Sequence, residues 1–112
     1  MDALLSSANL RDIGYHFSDK DAKYKDISSM VLLEKVMQML KAKGIKPLYV
    51  SAVIMAEKPK LMGIIPTITK NLAKALNLPE NKVGITATTL EGIGIVGREE
   101  GIASQAYVLC GR

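Results

Sequence analysis

A chain of 112 residues with 48% hydrophobic side chains and a mean hydropathy of +0.16 has room for one packed domain and is too apolar to be disordered. Its 15 basic and 11 acidic side chains leave a net charge of +4, but they are interspersed, and four Tyr, one Phe and no Trp offer little for base stacking, which favours a phosphorylated metabolite over RNA. The single cysteine, Cys110, rules out an intrachain disulfide or a cysteine zinc cluster, and no apolar run reaches the roughly 18 residues of a membrane span or forms a secretory signal.

Residues 2–9 read as the tail of a helix, because Ala3, Leu4 and Leu5 lack a preceding turn and no capping residue precedes Met1. The chain is therefore expected to begin in mid-helix. Residues 10–28, with Asp12, Gly14, Ser18, Asp19, Asp21 and Asp26, carry no usable period and predict a long connection of the kind that tends to carry function. Ser28 or Ser29 caps a predicted helix over 29–43, in which Leu33, Val36, Met37 and Leu40 recur at helical spacing and Gly44 supplies the stop. Met30, Met37 and Met39 suit core filling on that helix rather than a cofactor site.

Leu48 to Ala56 is nearly continuous apolar sequence rich in Val and Ile, which predicts a strand covered on both faces, central or at a subunit interface. After Glu57-Lys58-Pro59-Lys60 a second helix is expected from about Met62 to Leu76, and Pro66 moves its true start to near Ile65. Val83 to Thr89 alternates Val83, Ile85 and Ala87 against Gly84, Thr86 and Thr88, a strand with one small, hydroxylated face. Residues 101–110 form a last strand. This order predicts an α/β (α+β) fold, a two-layer sandwich of a mixed β-sheet with helices on one face, in one domain over residues 1–112.

Chemistry-bearing residues concentrate in the run Thr86 to Ala103, where hydroxyls, glycines and charges follow an apolar strand. Thr88 and Thr89 offer hydroxyl and main-chain donors, the glycines allow close backbone approach, and Arg98 supplies a fork suited to phosphate oxygens. Phosphate would repel Glu91 unless a divalent cation lay between them. The same run also reads as a glycine-rich turn with Arg98 in a surface ion pair with Glu99 or Glu100. Asp12, Asp19 and Asp21 can accept sugar or polyol hydroxyls, help hold a metal, or simply be solvated. Pro59-Lys60 can present main-chain groups and an ammonium to a nucleotide or be a generic turn. One histidine, His16, and one cysteine do not make an ordinary zinc site, so His16 reads as a loop hydrogen-bonding residue. No phosphate-binding P-loop, dinucleotide glycine fingerprint or serine triad is present.

Taken in order, Asp2-Ala3-Leu4-Leu5, Asp12-Ile13-Gly14 with His16-Phe17-Ser18-Asp19-Lys20-Asp21, Pro59-Lys60, Ala87-Thr88-Thr89-Leu90-Glu91 and Gly97-Arg98-Glu99-Glu100-Gly101-Ile102-Ala103 resemble the 2-C-methyl-D-erythritol 2,4-cyclodiphosphate synthase family over essentially the whole chain. The resemblance implies a homotrimer with active sites between subunits, a step of the non-mevalonate isoprenoid pathway, and a cytidine-linked substrate cyclised with release of CMP. Carried over by position, Asp12, Ile13, Gly14, Phe17, Ser18, Asp19, Lys20 and Asp21 would line the methylerythritol side. Ala56, Glu57, Lys58, Pro59, Lys60, Leu61 and Met62 would hold the cytidine. Thr88, Thr89, Leu90, Glu91, Ile95 and Arg98 would surround the diphosphate, with Thr89 aiding catalysis and Glu91 holding magnesium or manganese.

The chain departs from the family pattern at Ser18, where Pro is usual, at Lys20, where Thr is usual, and at Ile95, where an aromatic is usual. The family's zinc ligands, an Asp-x-His pair and a His before the Asp-Ala-Leu-Leu helix, have no counterpart in this sequence, nor has the His that assists catalysis. Met1 then reads as an internal residue serving as a start, and the expectation is an amino-terminally truncated polypeptide that binds before it can catalyse. Two other readings stand beside this one: a non-catalytic trimeric binding or assembly protein of the same fold, and a small basic RNA-binding module. The expected location is cytoplasmic, or a plastid had a transit peptide been lost.

Overall fold

The computed structural model describes residues Met1–Arg112, and their contacts gather into two compact units, Met1–Tyr49 with Val108–Arg112, and Val50–Tyr107. In the first, helix α1 (Asp2–Ser7) buries Leu4 and Leu5 and packs on α3 (Ser29–Ala42), which buries Leu33, Val36 and Leu40. Leu5, Val36 and Leu40 are fully buried, each stabilising the unit by about 1.5–3 kcal/mol. The predicted helix over 2–9 ends at Ser7 because Asn9 turns left-handed at φ 58°, letting Leu10 N–H donate to the Leu5 carbonyl at 2.9 Å. This is a Schellman closure. The same closure ends α3, where Gly44 at φ +70° lets Ile45 N–H reach the Leu40 carbonyl at 3.0 Å. At the other end of α3 the Ser28 hydroxyl accepts from Met30 N–H at 3.2 Å.

The expectation of an irregular connection over 10–28 requires correction. It contains a short helix, α2 (Ile13–His16), and a 3-10 turn at Ala22–Tyr24. Four residues are too few to show a period, and the cap of α2 is not local: Ile13 N–H donates to Asp2 Oδ1 in α1 at 2.9 Å. The later turn is capped nearby, by Asp21 Oδ1 accepting from Lys23 N–H at 3.2 Å.

The strands run as β1 (Lys46–Met55), β2 (Val83–Thr88) and β3 (Ala103–Gly111), in the sheet order β2-β1-β3. The sheet is mixed. In the second unit β1 and β2 are parallel, with Val50 opposite Val83 and Met55 opposite Thr88. Parallel neighbours need a crossover, and it is α4 (Ile65–Leu76), entered through a 3-10 turn at Met62–Ile64 and carrying Pro66 in its first turn as expected. Ala73 and Leu76 of α4 are buried, the helix packs on β2, and Asn77 ends it left-handed at φ 55°. A short helix, α5 (Gly94–Gly97), lies in what the sequence presents only as a glycine-rich turn.

β1 is central, as its composition predicts, but it is not covered on both faces. Pro47 and Val50 are buried, whereas Leu48, Tyr49 and Val53 are exposed, as are Tyr107 and Leu109 of β3. An apolar run records that a strand is made to be covered without recording whether the cover belongs to the same chain. No helix is long and apolar enough to cross a membrane.

Candidate functional site

Because β1 and β2 are parallel and in register up to Met55 and Thr88, the segments that follow them leave the sheet side by side, and such carboxyl ends are where open α/β sheets take ligands. Ala56 N–H prolongs the ladder by donating to the Thr88 carbonyl at 3.0 Å. Beyond this point the two segments separate around a cavity of about 410 Å³ lined by Ala56, Glu57, Pro59, Lys60, Leu61 and Met62 on one side and by Ala87, Thr88 and Thr89 on the other. That volume suits a ligand of nucleotide size. The Lys58–Pro59 peptide within the first segment is cis.

The turn after β2 is held by side chains. Thr89 Oγ1 donates to Glu91 Oε1 at 3.1 Å and accepts from Glu91 N–H at 3.4 Å. Across the cavity mouth, Glu57 Oε1 accepts from Leu90 N–H at 2.8 Å and from Gly92 N–H at 3.4 Å. Gly97 serves close packing rather than approach to a ligand, since a Cβ there would lie 2.2 Å from the Gly92 carbonyl carbon. Arg98 places Nε and Nη2 at 3.1 and 3.0 Å from Glu100 Oε2, and Glu99 pairs with Lys58 at 3.7 Å. All four of these side chains are more than half exposed.

The structure thus brings together eight of the expected residues, Ala56, Glu57, Pro59, Lys60, Leu61, Met62, Thr88 and Thr89, in one wall-to-wall cavity. Leu90 and Glu91 follow directly on it. Lys58 turns to Glu99 instead, Arg98 is engaged by Glu100, and Ile95 is exposed outside the lining. Ala87 lines the cavity although the sequence singles it out only as part of a motif. The available signal was its small side chain one residue before the paired threonines at a strand end.

The residues expected on the methylerythritol side belong to the other compact unit. There Ser18, in place of the family's usual Pro, uses its hydroxyl to accept from Lys20 N–H at 3.2 Å, a local turn. Phe17 meets Tyr24 edge-on with ring centroids 5.3 Å apart. His16 donates Nε2–H to the Leu10 carbonyl. The Lys23 ammonium is held above its ordinary value, first by its hydrogen bond to the Tyr24 side chain and then by the Tyr24 and Asp21 charges. Asp12 and Asp19 are exposed. Nowhere do three or more His, Cys, Asp or Glu side chains gather as a metal site.

Known proteins share both the sequence pattern and the fold of this chain. The YgbB family matches residues 1–111. A 2-C-methyl-D-erythritol 2,4-cyclodiphosphate synthase of Bacteroides fragilis is 46% identical over 111 residues, 99% of this chain and 70% of that protein. The solved structure of the bifunctional IspDF from Campylobacter jejuni matches with a TM-score of 0.92 at 35% identity, over 97% of this chain and 30% of that one. The CDP-bound form of a 2C-methyl-D-erythritol-2,4-cyclodiphosphate synthase matches with a TM-score of 0.89 at 33% identity, over 98% of this chain and 71% of that one. With the family pattern running through nearly every residue and the same fold recurring around the cavity, the chain belongs to the YgbB family.

Proposed function

We propose that this chain is a 2-C-methyl-D-erythritol 2,4-cyclodiphosphate synthase, residues 1–112 forming one domain of that kind, and that its strand-end cavity holds the cytidine diphosphate end of the substrate. The observation that carries this reading is the cavity between Ala56–Met62 and Ala87–Thr89 in a chain 46% identical to a relative of that name. That a solved relative is a CDP-bound form supports the choice of occupant.

The substrate supplies its own nucleophile. An oxygen of its 2-phosphate attacks the diphosphate phosphorus farther from cytidine, a new P–O bond closes the ring, and the bond to CMP breaks with its electron pair leaving on CMP. The attacking oxygen is already anionic, so the protein's work is to orient the chain of phosphates and offset charge. In this reading Pro59, Leu61 and Met62 give the nucleoside an apolar wall, and the Lys60 ammonium meets a phosphate. Thr89 turns its hydroxyl proton from Glu91 toward the oxygen on which charge develops. Asp12, Asp19 and Asp21, with Ile13, Gly14, Phe17, Ser18 and Lys20, take the methylerythritol hydroxyls.

The donor set near Glu91, one carboxylate beside the Thr89 hydroxyl, fits a magnesium or manganese ion, since such ions are commonly held by one or two carboxylates and completed by substrate phosphates. Bound there, the ion would neutralise phosphoryl charge. Zinc does not fit the residues present: His16 is committed to the Leu10 carbonyl, Cys110 lies against Ser7 Oγ at 3.2 Å, and no step is assigned to that metal. A homotrimer accounts for the exposed apolar residues on β1 and β3.

Calorimetry with CDP and phosphorus NMR of the incubated substrate test the reading. CDP is expected to bind once per chain and more tightly than CMP, with cyclic diphosphate and CMP appearing only slowly from substrate, because the residues present do not fit the zinc that the family resemblance implies. Absence of CDP binding would sink the proposal, and binding with no turnover would favour a non-catalytic binding protein of this fold.

A further inference from the structure

Glu57 is out of place as a direct ligand of an anionic diphosphate, because its charge would oppose what the cavity is proposed to hold. Its carboxylate is already used. Oε1 accepts from Leu90 N–H at 2.8 Å and from Gly92 N–H at 3.4 Å, two amides flanking a residue, Glu91, that sits left-handed at φ 52°, with Gly92 following at φ 77°. Successive N–H groups in such a turn form a concavity that attracts an anion, and here the protein fills it with its own carboxylate, from 33 residues earlier in the chain. The next residue, Lys58, pairs with Glu99 just beyond α5, whose Gly97 abuts Gly92. The segment after β1 therefore grips the far limb at two points.

Resting on the nucleotide reading above, we infer that Glu57 is a positioning residue: it clamps the Leu90–Gly92 turn, sets Thr89 and Glu91 at the second phosphate, and so confers preference for a nucleoside diphosphate over a monophosphate. Charge-assisted bonds to a backbone carry the turn into a conformation that L residues disfavour. Without the acceptor, the Leu90 and Gly92 amides lose their partner, and the Thr89 hydroxyl and Glu91 carboxylate lose their fixed place. The nucleoside wall, built from Pro59, Leu61 and Met62, keeps its own.

The test compares wild type, Glu57→Ala and Glu57→Gln by calorimetry with CDP and with CMP in magnesium, at a temperature where circular dichroism shows all three folded. Glu57→Ala is expected to weaken CDP binding about ten-fold or more while CMP binding changes less than about two-fold. Glu57→Gln is expected to keep most of the preference, because its amide oxygen can accept the same two bonds. The inference fails if Glu57→Ala binds CDP as wild type does, if both nucleotides weaken equally, or if Glu57→Gln behaves like Glu57→Ala. Wild type that binds neither nucleotide overturns the proposed function itself, a result separable from the behaviour of the variants.

Discussion

Thr89 has a hydroxyl that both donates to Glu91 Oε1 and accepts from Glu91 N–H, so a single side chain shapes the turn and keeps a proton available beside the cavity. Thr89→Ala is expected to lower kcat by about 10²–10³ with little change in KM, while Thr89→Ser recovers most of it; steady-state measurement of CMP release separates the two. Gly97→Ala is a steric test of the same loop. Its Cβ would meet the Gly92 carbonyl carbon at 2.2 Å, and backbone cannot step aside as a side chain does. A loss of about 1–3 kcal/mol in urea unfolding is expected, with weaker CDP binding, because Gly92 is one of the two amides Glu57 holds. The residue types of the site were legible because small hydroxylated and glycine residues after an apolar strand have a recognisable local pattern. The work done by Glu57 was not, because nothing near it in sequence marks an amide 33 residues away as its partner.

At the scale of elements, the ends of α3 explain why it reads so clearly. Ser28 supplies the first cap, and Gly44 supplies the left-handed exit. Ser28→Ala is expected to cost about 1 kcal/mol. Gly44→Ala is a cleaner probe of backbone strain, since nothing lies within 4 Å of the added Cβ, and it should cost about 1–2 kcal/mol. The two sites share no partner, so the double variant should equal their sum within about 0.5 kcal/mol by chemical denaturation. Elements whose start and stop signals lie within their own segment, α3 with Ser28 and Gly44 and α4 with Pro66 and the left-handed Asn77, match their expected ranges closely. α2 does not, because its cap is Asp2 of another helix, and α5 does not, because Gly97 is required by a neighbour rather than by a helical pattern.

For the whole molecule, the apolar residues left exposed on β1 and β3 are the main unexplained expense of the fold as a single chain. The homotrimer proposal predicts a particle of three times 12.1 kDa in sedimentation equilibrium. Tyr107→Lys, at a side chain 67% exposed in the single chain, should leave the folded content unchanged and shift the mass to that of one chain. Wild type sedimenting as a monomer would remove the trimer from the account.

By itself the sequence determined α1, α3, α4 and the three strands, the central place of the Leu48–Ala56 segment, and the hydroxyl-bearing side of the cavity after β2, because period, caps, stops and strand-end chemistry are written within a few residues of one another; the Ala56–Met62 side came from the family resemblance. The Arg98–Glu100 pair, between residues two apart, was among the readings the sequence offered, but tertiary structure alone decided that Lys58 faces Glu99 and that the carboxylate of Glu57 holds a turn instead of a ligand. Those outcomes depend on which charges and amides the parallel register of β1 and β2 carries to the same edge, and pairing across a sheet leaves no local mark in the chain.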